Sequence, residues 1–300
     1  MANYLSVEKR KRIFHLLCEG NCLRSVTRII GCSTNTVTQL QKKYSCIVDY
    51  LNRSMISELE VNEIEVDEIA TYVARKNNPR WVFIALDRKT RFIIHFHIGN
   101  RDEKDAKIFL QELSFKLNST SKVATDMLRS YVAAVARNDY GRYEAATSNV
   151  YVLRGHEGGE YLERSITNHV ERHNGTVRQH VARLIRAGRC FSKKEEGLRT
   201  HLMLFFFYYN FIKTCKAVKC PPAMAIGLTD EANWMEKILE YDMIFSENMK
   251  AVDPKKYGVY HKKPEIKSIG QAEQNQFLEQ IAGVVQFVRK DKKQAKIISL

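Results

Sequence analysis

The chain has 300 residues, 44% of them hydrophobic, enough for one core of about 150–200 residues plus a smaller module. It carries 48 Lys and Arg against 34 Asp and Glu, a formal net charge of +14 with a pI near 9.4, which points to a polyanionic partner and makes a basic membrane-surface protein the weaker reading. No positively charged apolar leader opens the sequence and its longest apolar run, Leu202 to Phe207, falls far short of the ~20 residues of a membrane span, so no membrane partner is expected.

Seven cysteines without a C-x-x-C pair read as reduced thiols, and the surroundings of Cys18, Cys22, Cys32 and Cys46 read as helices rather than a zinc site. The chain-order reading gives four parts: a helical module over 1–50, a connector over 51–60, a mixed α and β body over 61–245, and a basic extension over 246–300 with some helical spacing.

The first module shows helical patterns ending at Gly20 and Gly31, with Ile13, Leu16 and Leu17 on one face and Val26, Ile29 and Ile30 on the next. Ser33 or Thr34 then caps a third helix that turns Val37, Leu40 and Tyr44 inward. Ser33, Thr34, Asn35, Thr36, Gln39, Lys42 and Lys43 are left for another surface. That is the plan of a helix-turn-helix, whose third helix enters the major groove of DNA, where Asn and Gln pair with adenine edges and Lys with guanine or phosphate. A plain three-helix packing unit is the alternative.

Residues 63–73, 80–91 and 91–99 form three strand-like runs, separated by the turn signals Lys76 to Pro79 and Asp87 to Thr90. An amphipathic helix over 101–117 follows, and then a fourth strand ending at Asp126. Three antiparallel strands, a crossover helix and a further strand match ribonuclease H topology, so the fold class expected is α+β to α/β: a ribonuclease H-like mixed sheet flanked by helices, with a small all-α domain before it.

On that plan Asp67 lies on the first strand, Asp126 ends the fourth, and Glu171 opens a basic helix. Such carboxylates hold two divalent ions, Mg²⁺ with Mn²⁺ as a substitute, which stabilise the attacking and leaving oxygens of an in-line phosphoryl transfer. Periodicity alone does not select them, because Glu65, Glu68, Asp87 and Asp105 lie nearby. Beyond Glu171 on the same helical face come Asn174, Gly175 and Arg178, suited to orienting a ligand, admitting a backbone and clamping phosphate. Arg172 and Arg183 belong to the same basic stretch. Leu198 to Lys213 reads as a buried helix.

V-D-E at 66–68, A-L-D-R-K-T-R at 85–91, T-D at 125–126, V-E-R-H-N at 170–174, R-C-F-S-K-K at 189–194, Y-Y-N-F at 208–211 and P-A-M-A-I-G-L-T-D at 222–230 together resemble transposases of the first insertion-sequence family. The resemblance runs from about residue 6 to 240. It implies a helix-turn-helix followed by a DDE-type catalytic domain with Asp67, Asp126 and Glu171 as the triad. Partners implied are double-stranded DNA, both terminal inverted repeats and target, and further copies of the chain, at least a dimer. The expected location is cytoplasmic and nucleoid-associated, or nuclear in a eukaryotic host. The relatives carry Gly where this chain has Met127 and Gln where it has His173. A domesticated DNA-binding protein and a cleavage-only nuclease are the competing readings.

Overall fold

The computed structural model describes residues 5–118, 121–125, 130–131, 150–153, 167–185, 190–231 and 233–248. The extension from 249 to 300, Asp126 and Met127 therefore lie outside the described residues.

Three helices open the chain: α1 (Val7–Cys18), α2 (Leu23–Ile30) and α3 (Thr34–Met55). The Ser6 hydroxyl caps α1, and Gly31 ends α2 in the left-handed conformation that a Cβ disfavours. Ser33 caps α3 by accepting the Thr36 amide at 3.0 Å. Ile13, Leu17, Val26, Ile30 and Val37 make a small private core, from which Ile29 is left out at 50% exposure. Helix α3 does not stop near Tyr44 but continues through the first half of the expected connector. The apolar positions Ile47, Val48 and Leu51 continue at helical spacing and are buried.

Five strands follow: β1 (Glu63–Val73), β2 (Arg75–Asp87), β3 (Ile93–Gly99), β4 (Ser121–Ala124) and β5 (Val150–Leu153), in the spatial order β3-β2-β1-β4-β5. The first three are an antiparallel meander, β4 runs parallel to β1, and β5 parallel to β4. The β1–β2 turn falls at Ala74, whose φ is 66°, and not in the Lys76–Pro79 run. That run bulges out of β2 between the pairs Tyr72↔Pro79 and Val73↔Arg75, and Asn78 ties it back by donating to the Val73 carbonyl at 2.9 Å. Strand β5 had no counterpart in the sequence reading.

Helix α4 (Glu103–Ser114), capped by Asp102, makes the crossover from β3 to β4. After β5 come α5 (Asn168–His180), α6 (Glu195–Phe207) running into a π-turn at Tyr208–Ile212, the short α7 (Pro222–Ala225) and α8 (Trp234–Asn248). Asn210 in the π-turn exchanges two 2.9 Å bonds with the backbone N–H and C=O of Ile93, pinning α6 to β3.

The main core is continuous from the sheet through Leu202, Phe205 and Phe207 of α6 to Phe14 and Cys18 of α1 and Tyr44, Ile47, Val48 and Leu51 of α3. Polar joins back this up. His201 bonds the Leu17 carbonyl at 2.9 Å, Lys42 pairs with Glu196 at 3.0 Å, and the buried Asp242 of α8 pairs with both Arg10 and Lys43. All seven cysteines are free thiols. Among the described residues no helix is long and apolar enough to cross a membrane.

Candidate active site

Side chains alternate across β1, so Glu65 and Asp67 share one face and Glu68 points to the other. Asp67 sits mid-strand, paired with Ile84 of β2, while Glu65 stands opposite Ala124, the last residue of β4. Thr125 after it is buried. Asp126, the second expected acid, comes next in sequence, outside the described residues.

Helix α5 lies on the Asp67 face. Val170, His173, Asn174 and Val177 are its buried positions, at the i, i+3, i+4, i+7 spacing of a helix stripe. The Asn174 amide donates to Asp67 Oδ2 at 2.6 Å, and the Glu68 amide donates to Oδ1 at 2.8 Å. Glu171, one turn before Asn174, is exposed, and the Thr167 hydroxyl donates to its Oε1 at 2.7 Å. The first strand's acid and the helix's acid are thus brought to neighbouring elements by a direct bond between them. Gly175 and Arg172 are exposed and Arg178 half-buried on the same helix.

His173 is buried against Tyr209, ring centroids 4.5 Å apart, and Phe206. Burial, with a smaller push from His180, lowers its pKa to about 3, so the ring is a neutral packing element.

The four competing acids each have another task. Glu65 is fully buried and its Oε2 accepts the amides of His169 and Val170 at 2.8 and 2.9 Å, with burial pushing its pKa up against those bonds. Glu68 accepts from Tyr131 and from Arg101 Nε at 3.2 Å, and that guanidinium lies 4.5 Å from the Trp81 ring centroid. Asp87 accepts the Thr90 amide at 2.8 Å in the β2–β3 turn. Asp105 accepts the Asn100 amide at 2.6 Å and contacts His97 at 3.0 Å. None of these roles was visible in the spacing of the acids.

Two of the expected basic contacts have partners within the fold. Arg183 turns inward, donating to His201 Nδ1 at 3.3 Å and Ser192 Oγ at 3.0 Å, and so joins the segment after α5 to α6. Lys43 is engaged with Asp242. Thr34, Asn35 and Gln39 remain exposed on α3, Lys42 is shared with Glu196, and Ser33 and Thr36 bond one another.

Hard oxygen donors on two facing elements suit Mg²⁺, and the Asn174 amide holds the Asp67 carboxylate in one orientation. Among the described residues no group of three His, Cys, Asp or Glu is arranged to hold a metal. Asp126, the second expected acid, lies outside them.

A meander of three antiparallel strands, two parallel strands added beside the first, and a central-strand Asp bonded to a helix that carries a Glu make a ribonuclease H-like arrangement. Residues 61–208, from β1 through α6, match the IS1 transposase family. "Insertion element IS1 protein InsB" of Shigella flexneri is 29% identical over 133 residues, which cover 44% of this chain and 84% of that protein. A chain in the cryo-EM structure of a simian T-cell lymphotropic virus intasome in complex with PP2A regulatory subunit B56 gamma aligns over 73% of this chain and 74% of its own, at 11% identity and a TM-score of 0.39.

Proposed function

We propose that the protein is a DNA transposase that binds the terminal inverted repeats of its element and catalyses strand cleavage and strand transfer. The reading is carried by the 2.6 Å bond from Asn174 to Asp67, which locks the Glu171 helix against the Asp67 strand inside the family-matched residues. The active site is Asp67, Asp126 and Glu171, holding two Mg²⁺ ions, with Mn²⁺ able to replace them. When bound, the ions supply Lewis-acid stabilisation of the attacking and leaving oxygens.

The chain's own residues bind and orient. Asn174 fixes the Asp67 carboxylate, Arg178 clamps phosphate oxygens, Gly175 leaves the helix surface low where the DNA backbone approaches, and Arg172 adds positive charge. Water first attacks the phosphodiester at the element end and frees a 3′-hydroxyl. That hydroxyl then attacks a target phosphodiester, so one ester bond forms as another breaks, with no protein–DNA covalent bond. Thr34, Asn35 and Gln39 of α3 read the repeat, with Lys42 against its phosphates, and residues 1–50 serve as the binding module of the 61–245 catalytic body. Holding two element ends together calls for at least a dimer.

The test is strand transfer of a precleaved element end into plasmid by wild type and by Asp67→Asn, Asp126→Asn and Glu171→Gln. Each variant is expected to lose Mg²⁺-dependent joining and to keep binding to the end, because the three act as one unit. Near-normal joining by any variant removes that residue from the triad. Cleavage without joining by the wild type would make the protein a nuclease, and neither activity would leave a DNA-binding protein.

A further inference from the structure

Helix α5 begins without a cap of its own. Thr167, at its N-cap, makes no side-chain bond to the first-turn amides, and its hydroxyl donates to Glu171 instead. The His169 and Val170 amides are satisfied from another element by Glu65 of β1, more than a hundred residues earlier. A carboxylate suits that place because the amides and the helix dipole both favour negative charge. Its other oxygen lies 3.6 Å from Arg88 Nε.

The second tie between the same two elements is Asn174 to Asp67. Glu65 and Asp67 are two residues apart, about 6.6 Å along a strand. The groups they hold on α5 are four to five residues apart, about 6–7.5 Å along a helix. The two rises match, so the strand grips the helix twice without slip. Glu171 lies on the length between the two grips.

We propose that Glu65 is a positioning residue of the transposase site: by capping α5 from β1 it sets the height at which Glu171 is presented beside Asp67, and so acts on metal binding through Glu171. The proposal rests on the triad reading above. Loss of an outer-shell partner of this kind typically costs 10–100-fold in metal affinity or activity.

The experiment compares wild type, Glu65→Ala, Glu65→Gln, Glu65→Asp and Glu171→Gln as full-length proteins. Mn²⁺ affinity is read by electron paramagnetic resonance without DNA, amide exchange is read over 167–174, and strand transfer is measured across Mg²⁺ concentrations. Glu65→Ala is expected to bind Mn²⁺ roughly 10-fold more weakly, to need correspondingly more Mg²⁺ for half-maximal rate, and to lose protection at His169 and Val170. Glu65→Gln keeps an acceptor of the right reach and should recover to within about threefold of wild type. Glu65→Asp keeps the charge but is one methylene short, and should behave like Ala. If Glu65→Ala does not fold, the Gln and Asp variants decide: an active Asp and an inactive Gln overturn the cap in favour of a charge role. Wild-type Mn²⁺ affinity in Glu65→Ala, beside a clear loss in Glu171→Gln, overturns the proposal alone. Unchanged affinity in Glu171→Gln takes Glu171 out of the metal set, and the proposal with it.

Discussion

Gly175 separates two quantities that move together for most residues of the site. It is exposed within α5, and a Cβ placed there would meet nothing within 4 Å, so no packing requires glycine. Alanine in a helix interior is better than glycine by about 1 kcal/mol. Gly175→Ala is therefore expected to raise the midpoint of thermal unfolding by a few degrees while strand transfer falls, because on the proposed function the added methyl stands where the DNA backbone approaches. A variant that gains stability and keeps full activity would show that α5 is not approached at that point.

Among the elements, α3 shows how one helix divides its length. Its first turns expose Thr34, Asn35 and Gln39, and its later turns bury Ile47, Val48 and Leu51. Asn35→Ala or Gln39→Ala is expected to cost roughly 1–3 kcal/mol at one preferred base of the repeat and to relax selection there, read by competition binding against single-base variants. Equal losses on every sequence would assign these side chains to phosphates.

How far the sequence reading reached follows element type. The inward stripe of α3 and the alternation of β1 are local patterns, so the capping Ser33 and the strand carrying Asp67 were legible. Helix α5 was legible as the bearer of Glu171. The cap from Glu65 and the grip of Asn210 on Ile93 were not, since each joins residues more than a hundred positions apart, and the inward turn of Arg183 depends on tertiary placement. Strand β5 is only four residues long, too short for alternation to stand out.

For the molecule as a whole, acidity acts through buried rings. His95, stacked on Phe109 and facing Glu112, His97 and Lys116, has its pKa lowered by burial to about 4. His201, set between Arg183 and the Leu17 carbonyl, is lowered by burial to about 4 as well. Both are neutral when folded and free to charge near 6.5 when unfolded, so their contribution is present at neutral pH and is lost as pH falls from about 6.5 towards 4, by up to about 1.4 kcal/mol per pH unit for each ring. His97 works the other way. Its bonds to Glu112 and Asp105 outweigh its burial and raise its pKa, so its contribution is complete below about 6.5 and fades as pH rises through the raised value. Denaturant titrations from pH 7 to 5 are expected to show falling stability, with a shallower fall in His95→Phe. An identical slope in that variant would exclude His95 as a source.

The shared core of α3 and α6 and the pairing of Asp242 with Arg10 and Lys43 tie α3 to the body that carries Asp67. A rigid link of this kind makes the protein a caliper. On the proposed function, the distance from the bases read by α3 to the phosphodiester cut beside Asp67 is set by the fold, and the DNA has to match it in both length and helical phase. Inserting five base pairs between the bases read by α3 and the element end should abolish end cleavage by turning the scissile bond to the far side of the duplex, whereas Asp242→Ala, which loosens the jaw, should let cleavage spread over neighbouring positions.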